Sequence, residues 1–235
     1  MVSTTSVLIP WRAAGPERDE ALAWVTARYA ARHPDWEVVL GTDNAEEEWS
    51  KGAAVARAAI AATGSVFVVA DADVWSDGTA AAVQRVLDGA SWAMPHGPVR
   101  RLGPQATARV LAGDEPTYEL DLEREQYQGV RGGGLVVLTR AAYGAAPIDP
   151  RFRGWGAEDF SWGDALRASA GRPWRGAAVL WHLHHPPANR FGRHLTNEQS
   201  RDLATRYRRT RRRMVLMEPL LAEAHDALSA IGLIL

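Results

Sequence analysis

The 235 residues carry 27 Lys and Arg against 28 Asp and Glu, a net charge of -1, so no global positive field argues for nucleic acid. The absence of cysteine excludes disulfides and thiolate chemistry and fits a cytoplasmic protein. No apolar run approaches the ~20 residues of a membrane span, and residues 1–6 lack the pattern of a signal peptide, so a soluble chain with a sizeable core is expected.

Residues 6–10 read as a first short strand, and residues 17–32 as a helix with Leu22, Val25 and Tyr29 on one face. A second strand spans 36–40 and runs into Gly41-Thr42-Asp43-Asn44. A second helix, 50–62, stops at Thr63-Gly64. The third strand is 65–70, the third helix 79–87 and the fourth strand 91–95. This β-α-β-α-β-α alternation predicts right-handed crossovers and a mostly parallel sheet. From 97 to 132 the pattern breaks at Pro98, Pro104 and Pro116, which predicts loops with short helices. A strand at 134–139, a helix at 157–170, a strand at 177–182 and a helix or helix pair at 196–228 follow. One domain over 1–235 is expected. Its parts are a nucleotide-binding half (about 1–96), an acceptor half (about 97–200) and C-terminal helices (about 196–235).

Four polar stations stand at predicted strand ends, and in a parallel sheet such ends converge on one edge. They are Pro10-Trp11-Arg12, Thr42-Asp43-Asn44, Asp71-Ala72-Asp73 and His182-Leu183-His184-His185. The third follows the apolar run Val66-Phe67-Val68-Val69-Ala70, and its two carboxylates offer hard oxygen ligands for a divalent cation that arrives with phosphates. An imidazole joining two carboxylates suits Mn²⁺ better than Mg²⁺. Alternation puts His182 and His184 on one face, and His185 turns inward if the strand stops at His182. Lys51 opens the second helix, where a cation opposes the helix dipole. It is either solvated or answers an anionic ligand. In Gly154-Trp155-Gly156-Ala157-Glu158-Asp159 two acids begin a helix in directions different enough for separate roles, one as proton acceptor and one as sugar ligand.

Arg131-Gly132-Gly133-Gly134 either lets backbone approach a sugar or forms a simple turn. Six arginines between Arg206 and Arg213 suggest a solvated face, a pyrophosphate contact, or a weak contact with an anionic or membrane surface. Met217, Leu220, Leu221, Ala224, Leu228 and Ile231 then form a stripe for core packing or a homodimer seam. Ten Trp residues serve a core or a sugar site.

Together these residues resemble a glycosyltransferase of the GT-A fold over about residues 6–200. The first half is similar to family 2 enzymes, and Gly154–Asp159 to the Trp-Gly-Gly-Glu-Asp segment of the β-1,4-galactosyltransferase and chondroitin-polymerase group. The resemblance implies a Rossmann-like α/β sheet flanked by helices, with a C-terminal helical extension. It implies an inverting, metal-dependent transferase that moves a sugar from a nucleotide-diphosphate donor, a UDP-sugar, to a glycan, lipid-linked or protein acceptor. Pro10, Trp11, Arg12, Asp43, Lys51 and Arg57 would surround the nucleoside. Asp71, Asp73 and His182 would hold Mn²⁺, with Mg²⁺ as substitute and His185 as the rival ligand. Asp71 would also contact ribose or a metal-bound water. Asp159 would be the catalytic base and Glu158 would bind a sugar hydroxyl, with Gly133, Trp155 and Gly156 beside the sugars. Ala157 departs from the pattern by replacing a usual Gly. A nucleotidyltransferase of similar layout and an inactive carbohydrate-binding relative are the alternatives.

Overall fold

The computed structural model describes residues 5–44, 46–154, 156–186 and 198–235. Among these, eight strands form one sheet in the order β2-β1-β3-β7-β5-β8-β4, with β6 beside β5. The strands are β1 (Thr5–Pro10), β2 (Glu37–Gly41), β3 (Val66–Ala70), β4 (Val74–Trp75), β5 (Trp92–Arg101), β6 (Tyr127–Gln128), β7 (Leu135–Thr139) and β8 (Trp174–His182). The helices are α1 (Pro16–Arg32), α2 (Lys51–Ala61), α3 (Thr79–Leu87), α4 (Pro104–Leu111), α5 (Arg140–Ala145), α6 (Glu158–Ala170), α7 (Glu198–Arg209) and α8 (Met214–Ala230).

The alternation of β1 sorts two cores. Val7 and Ile9 face one side with Val68, Trp75, and Tyr29, Val83 and Val110 of α1, α3 and α4. Leu8 faces the other with Phe67 and Val69, and with Val55, Tyr143, Trp162, Tyr207 and Leu220 of α2, α5, α6, α7 and α8. The stripe Met217, Leu220, Leu221, Ala224 and Leu228 is buried, whereas Ile231 at its end is 40% exposed. No helix among the described residues is long and apolar enough to cross a membrane.

The parallel expectation holds for β2-β1-β3, and β5 runs parallel to β8. Between them β7 is antiparallel to both β3 and β5, so the sheet as a whole is mixed rather than mostly parallel. Strand β5 also continues past the expected stop at residue 95. Its pairing with β8 shifts register between Met94 and His96 and again between His96 and Val99, the intervals that contain Pro95 and Pro98. Prolines lack the ladder N–H and are accommodated at such irregularities.

The two-residue β4, which periodicity did not reveal, has the largest effect on the polar edge of the sheet. It pairs antiparallel with the end of β8, with Val74 opposite His182, and the Leu183 N–H donates to the Asp73 carbonyl at 2.8 Å. The backbone itself therefore sets the third and fourth polar stations side by side.

Strand β2 ends where α2 crosses it closely. A Cβ on Gly41 would run into the backbone carbonyl of Ala54. Gly41→Ala is expected to lower the unfolding free energy by about 1–3 kcal/mol, the usual cost of overpacking. Urea denaturation measures it, and an unchanged midpoint would refute the close approach.

Candidate active site

Strand β3 delivers Asp71, whose N–H donates to the Gly134 carbonyl at 2.9 Å and so ties the metal-type motif to the glycine turn before β7. Two residues on, the Asp73 carboxylate faces two imidazoles, with His185 Nε2 at 2.9 Å and His182 Nε2 at 3.8 Å. The ligand atoms of Asp73, His182 and His185 all lie within 4.8 Å of one another. His182 Nδ1 lies 2.7 Å from the Leu183 carbonyl, and His185 Nδ1 lies 2.9 Å from that of Pro186. The Leu183 carbonyl can accept the Nδ1 proton of His182, which turns the Nε2 lone pair of that ring toward Asp73, whereas the Nε2–H of His185 donates to the Asp73 carboxylate at 2.9 Å when no metal is bound. Hydrogen bonds behind the ring of this kind orient metal-binding histidines. One carboxylate oxygen and two imidazole nitrogens fit Mn²⁺ better than Mg²⁺.

The two histidines expected as rivals thus belong to one group, and Asp71 lies outside it. His184 is engaged elsewhere, its N–H bonded to Thr107 Oγ1 at 2.7 Å. Burial pushes the Asp73 pKa up, but His182, His185 and Arg18 outweigh this and hold the carboxyl well below its usual range. Burial draws the His182 pKa down against the pull of Asp73.

Lys51 is not the solvated lysine that its place at a helix start allowed. It is buried, with Nζ 2.6 Å from Asp71 Oδ1 and 2.9 Å from Asp159 Oδ1. Burial alone would lower its pKa, but Asp159, Asp71 and Glu158 raise it well above the ordinary lysine value. Opposing carboxylates therefore explain a cation against the α2 dipole. Asp71 is pushed up to about 6, by burial first, with Lys51 opposing and Asp159 and Asp73 adding.

The segment that brings Asp159 to Lys51 is pinned on both sides. Ser50 caps α2, with Oγ 3.3 Å from Ala53 N, and donates to the Pro150 carbonyl at 2.9 Å. The Gly154 N–H donates to Trp49 O at 2.8 Å, and the Arg153 N–H to Ser200 Oγ at 3.0 Å. Gly154 (φ 71), Gly156 (φ 111) and Ala157 (φ 70) then turn the chain into α6. Ala157 is the N-cap in the left-handed region, which accounts for Gly in the pattern it departs from. Glu158 accepts from the Gly156 N–H at 2.9 Å and is buried. Burial first, then Asp159, pushes its pKa up to about 7 against Lys51.

The glycine turn packs closely on α6. A side chain on Gly132 would run into the Asp159 carbonyl, and one on Gly163 into the Arg131 carbonyl. A Cβ on Gly133 would stand 3.0 Å from Asp159 Oδ2, so its absence leaves room beside that oxygen.

The first two stations join each other. Arg12 binds the Asp43 carboxylate through Nε at 2.9 Å and through a second nitrogen, and reaches the carbonyls of Glu47 and Asn44. The Ser50 N–H donates to Asp43 at 2.8 Å and Arg57 to the Thr42 carbonyl at 2.8 Å. Pro10 ends β1 opposite Gly41, whose carbonyl accepts from the Trp11 N–H at 2.8 Å. Trp155 lies outside the described residues.

Sequence reasoning missed Arg18. From the first turn of α1 its guanidinium stands 3.1 Å from His185 Nδ1 and is drawn on by Asp73 and Asp71. It too is a cation at a helix start, the signal that singled out Lys51.

No protein-family model matches the chain, and no curated protein matches it. Among solved structures it is similar to the catalytic domain of Drosophila β1,4-galactosyltransferase 7 in complex with xylobiose. That likeness has a TM-score of 0.53 at 14% identity and covers 87% of this chain and 80% of that one. It is also similar to Mycobacterium tuberculosis glucosyl-3-phosphoglycerate synthase in complex with Mn²⁺, UDP and glucosyl-3-phosphoglycerate, with a TM-score of 0.46, 16% identity, and coverage of 80% and 73%. A third is GalNAc-T7 with UDP, GalNAc and Mn²⁺, with a TM-score of 0.48, 16% identity, and coverage of 82% and 46%. The chain has the GT-A glycosyltransferase fold.

Because Glu158 binds its proton more tightly folded than unfolded, stability should be greatest below its ordinary pKa and fall as pH rises through about 7. Asp71 acts in the same direction, whereas the Asp73 contribution is lost only on acidification. Glu158→Gln should therefore gain stability over wild type at pH 8 relative to pH 5, on the order of a few kcal/mol. Urea midpoints at the two pH values measure this, and parallel pH profiles would remove the buried carboxyl as its cause.

Proposed function

We propose that the protein is an inverting, metal-dependent glycosyltransferase that moves a sugar from a UDP-linked donor to a hydroxyl of a glycan, lipid-linked or protein acceptor. One observation carries this reading: two chemically distinct groups share one edge of the sheet. The Asp73–His182–His185 ligand set and the Lys51-held Asp159 are joined through Asp71, two residues from Asp73. The fold shared with a galactosyltransferase catalytic domain supports it.

Asp73, His182 and His185 would hold the divalent cation, Mn²⁺ before Mg²⁺, which when bound supplies positive charge where the diphosphate departs. Pro10, Trp11, Arg57 and the Arg12–Asp43 pair would border the nucleoside, and Asp71 its ribose. Lys51 fixes Asp159 through Oδ1, while Oδ2 has the space left by Gly133. Asp159 would accept the proton of the acceptor hydroxyl as that oxygen attacks the anomeric carbon opposite the leaving diphosphate. The configuration inverts through a transition state of oxocarbenium character, as in glycoside hydrolysis. Glu158, with Gly156 beside it, would bind a sugar hydroxyl.

A thermal-shift screen of nucleoside diphosphates and ATP, each with and without Mn²⁺, tests the donor class. A native-state ligand at a hundred times its dissociation constant adds about 2.7 kcal/mol of apparent stability. A shift with UDP that needs Mn²⁺ is expected and should vanish in Asp73→Ala. Asp159→Asn should keep that shift and lose ~10²–10⁴-fold in transfer. Near-normal turnover would remove Asp159 as base. A response only to triphosphates, with pyrophosphate released, would make the protein a nucleotidyltransferase. Sugar binding without transfer or donor hydrolysis would make it a carbohydrate-binding relative.

A further inference from the structure

The corner between α7 and α8 exposes two things that a folded surface usually separates. Met214, Val215 and Leu216, the first residues of α8, are 42%, 66% and 44% exposed, a run of three large apolar side chains in solvent. The buried stripe of α8 begins only at Met217, so these three stand clear of the core.

Just before them Arg208, Arg209, Arg211 and Arg213 are exposed, and among the described residues none is paired with a carboxylate. The other two arginines of the run are committed, Arg206 to Glu223 at 2.5 Å and Arg212 to Asp164 of α6 at 2.6 Å. Those two ion pairs fasten the corner to the body of the protein. Arg211 (φ 49) and Arg212 (φ 62) turn the chain sharply through left-handed backbone, next to the apolar triplet in the chain.

Beyond the corner, Arg212, Arg131 and Arg172 all act electrostatically on Arg167 of α6, with Asp164 opposing them. The chain as a whole carries a charge of -1, so this positive field is local.

An RNA or an acidic peptide would match the four charges and leave Met214, Val215 and Leu216 without a partner. A neutral apolar partner would do the reverse. The interface of an anionic bilayer supplies both, phosphates at the level of guanidinium groups and acyl chains beneath them.

We propose that the α7–α8 corner docks the protein on an anionic lipid surface, with Arg208, Arg209, Arg211 and Arg213 at the headgroups and Met214, Val215 and Leu216 inserted below. This stands apart from the proposed chemistry, since none of these residues belongs to the candidate active site.

Co-sedimentation of the full chain with phosphatidylcholine vesicles, with and without phosphatidylglycerol, tests it. Partition into the anionic vesicles alone is expected, weakening with salt and by about fivefold for each of the four arginines changed to Gln. Val215→Ser should weaken partition with the charges intact. Circular dichroism and the thermal midpoint establish that each variant is folded, and single Arg→Gln variants serve if the combined one is not. Failure of the wild type to bind anionic vesicles, equal binding to neutral ones, or unchanged binding by the folded variants would overturn the proposal. Tighter binding of an RNA homopolymer, indifferent to Val215→Ser, would overturn it in favour of nucleic acid.

Discussion

A single buried ammonium organises the polar edge of this sheet. Lys51 comes from the start of α2, Asp71 from the end of β3 and Asp159 from the first turn of α6, and their side chains meet within 2.9 Å. Removing one partner from such a group leaves an uncompensated charge in a poor solvent for it, which typically costs about 3–5 kcal/mol. The position of α6 is thus coupled to the parallel half of the sheet by electrostatics as well as by apolar packing. Much of the nearby backbone serves the same meeting. Ser50 holds Pro150, Trp49 holds Gly154, and the glycine turn lets residues 131–134 close onto α6.

Backbone pairing does for the histidines what the ammonium does for the acids. Two residues of β4 suffice to lay Asp73 along the end of β8, and main-chain carbonyls stand behind both imidazole rings that face it. The result is a ligand set shaped by main-chain atoms, and main-chain geometry tolerates changes of neighbouring side chains. Arg18 adds a cation from α1, so elements from both sides of the sheet reach the same few ångströms.

Much of the fold was legible because its signals are local. The run 66–70 is apolar on both faces, as a strand buried on both sides must be, and the first three helices show their spacing and stops. What stayed hidden depends on partners far along the chain. A two-residue strand has no periodicity, and the antiparallel entry of β7 follows from a long connection rather than from its own residues. At the site, strand-end position pointed to Asp71, Asp73 and the run His182–His185, and the helix start at Glu158-Asp159 to a pair of acids, while the choice of His182 and of Asp159 rested on the family resemblance. That His185 joins His182 at Asp73, and that Lys51 is buried between Asp71 and Asp159, follow from tertiary contacts, the one to Asp159 spanning 108 residues. Arg12 and Asp43 were visible as polar strand-end residues, while their pairing with each other needed coordinates.

The charges gathered at this edge do not balance. Asp71, Asp73, Glu158 and Asp159 stand against Lys51 and Arg18, four carboxyls facing two fixed cations. Crowding of this kind favours whatever positive charge is at hand, and burial together with Asp159 raises the proton affinity of Glu158 for that reason. The edge is therefore a place where like charges are kept together by the fold rather than by their mutual attraction.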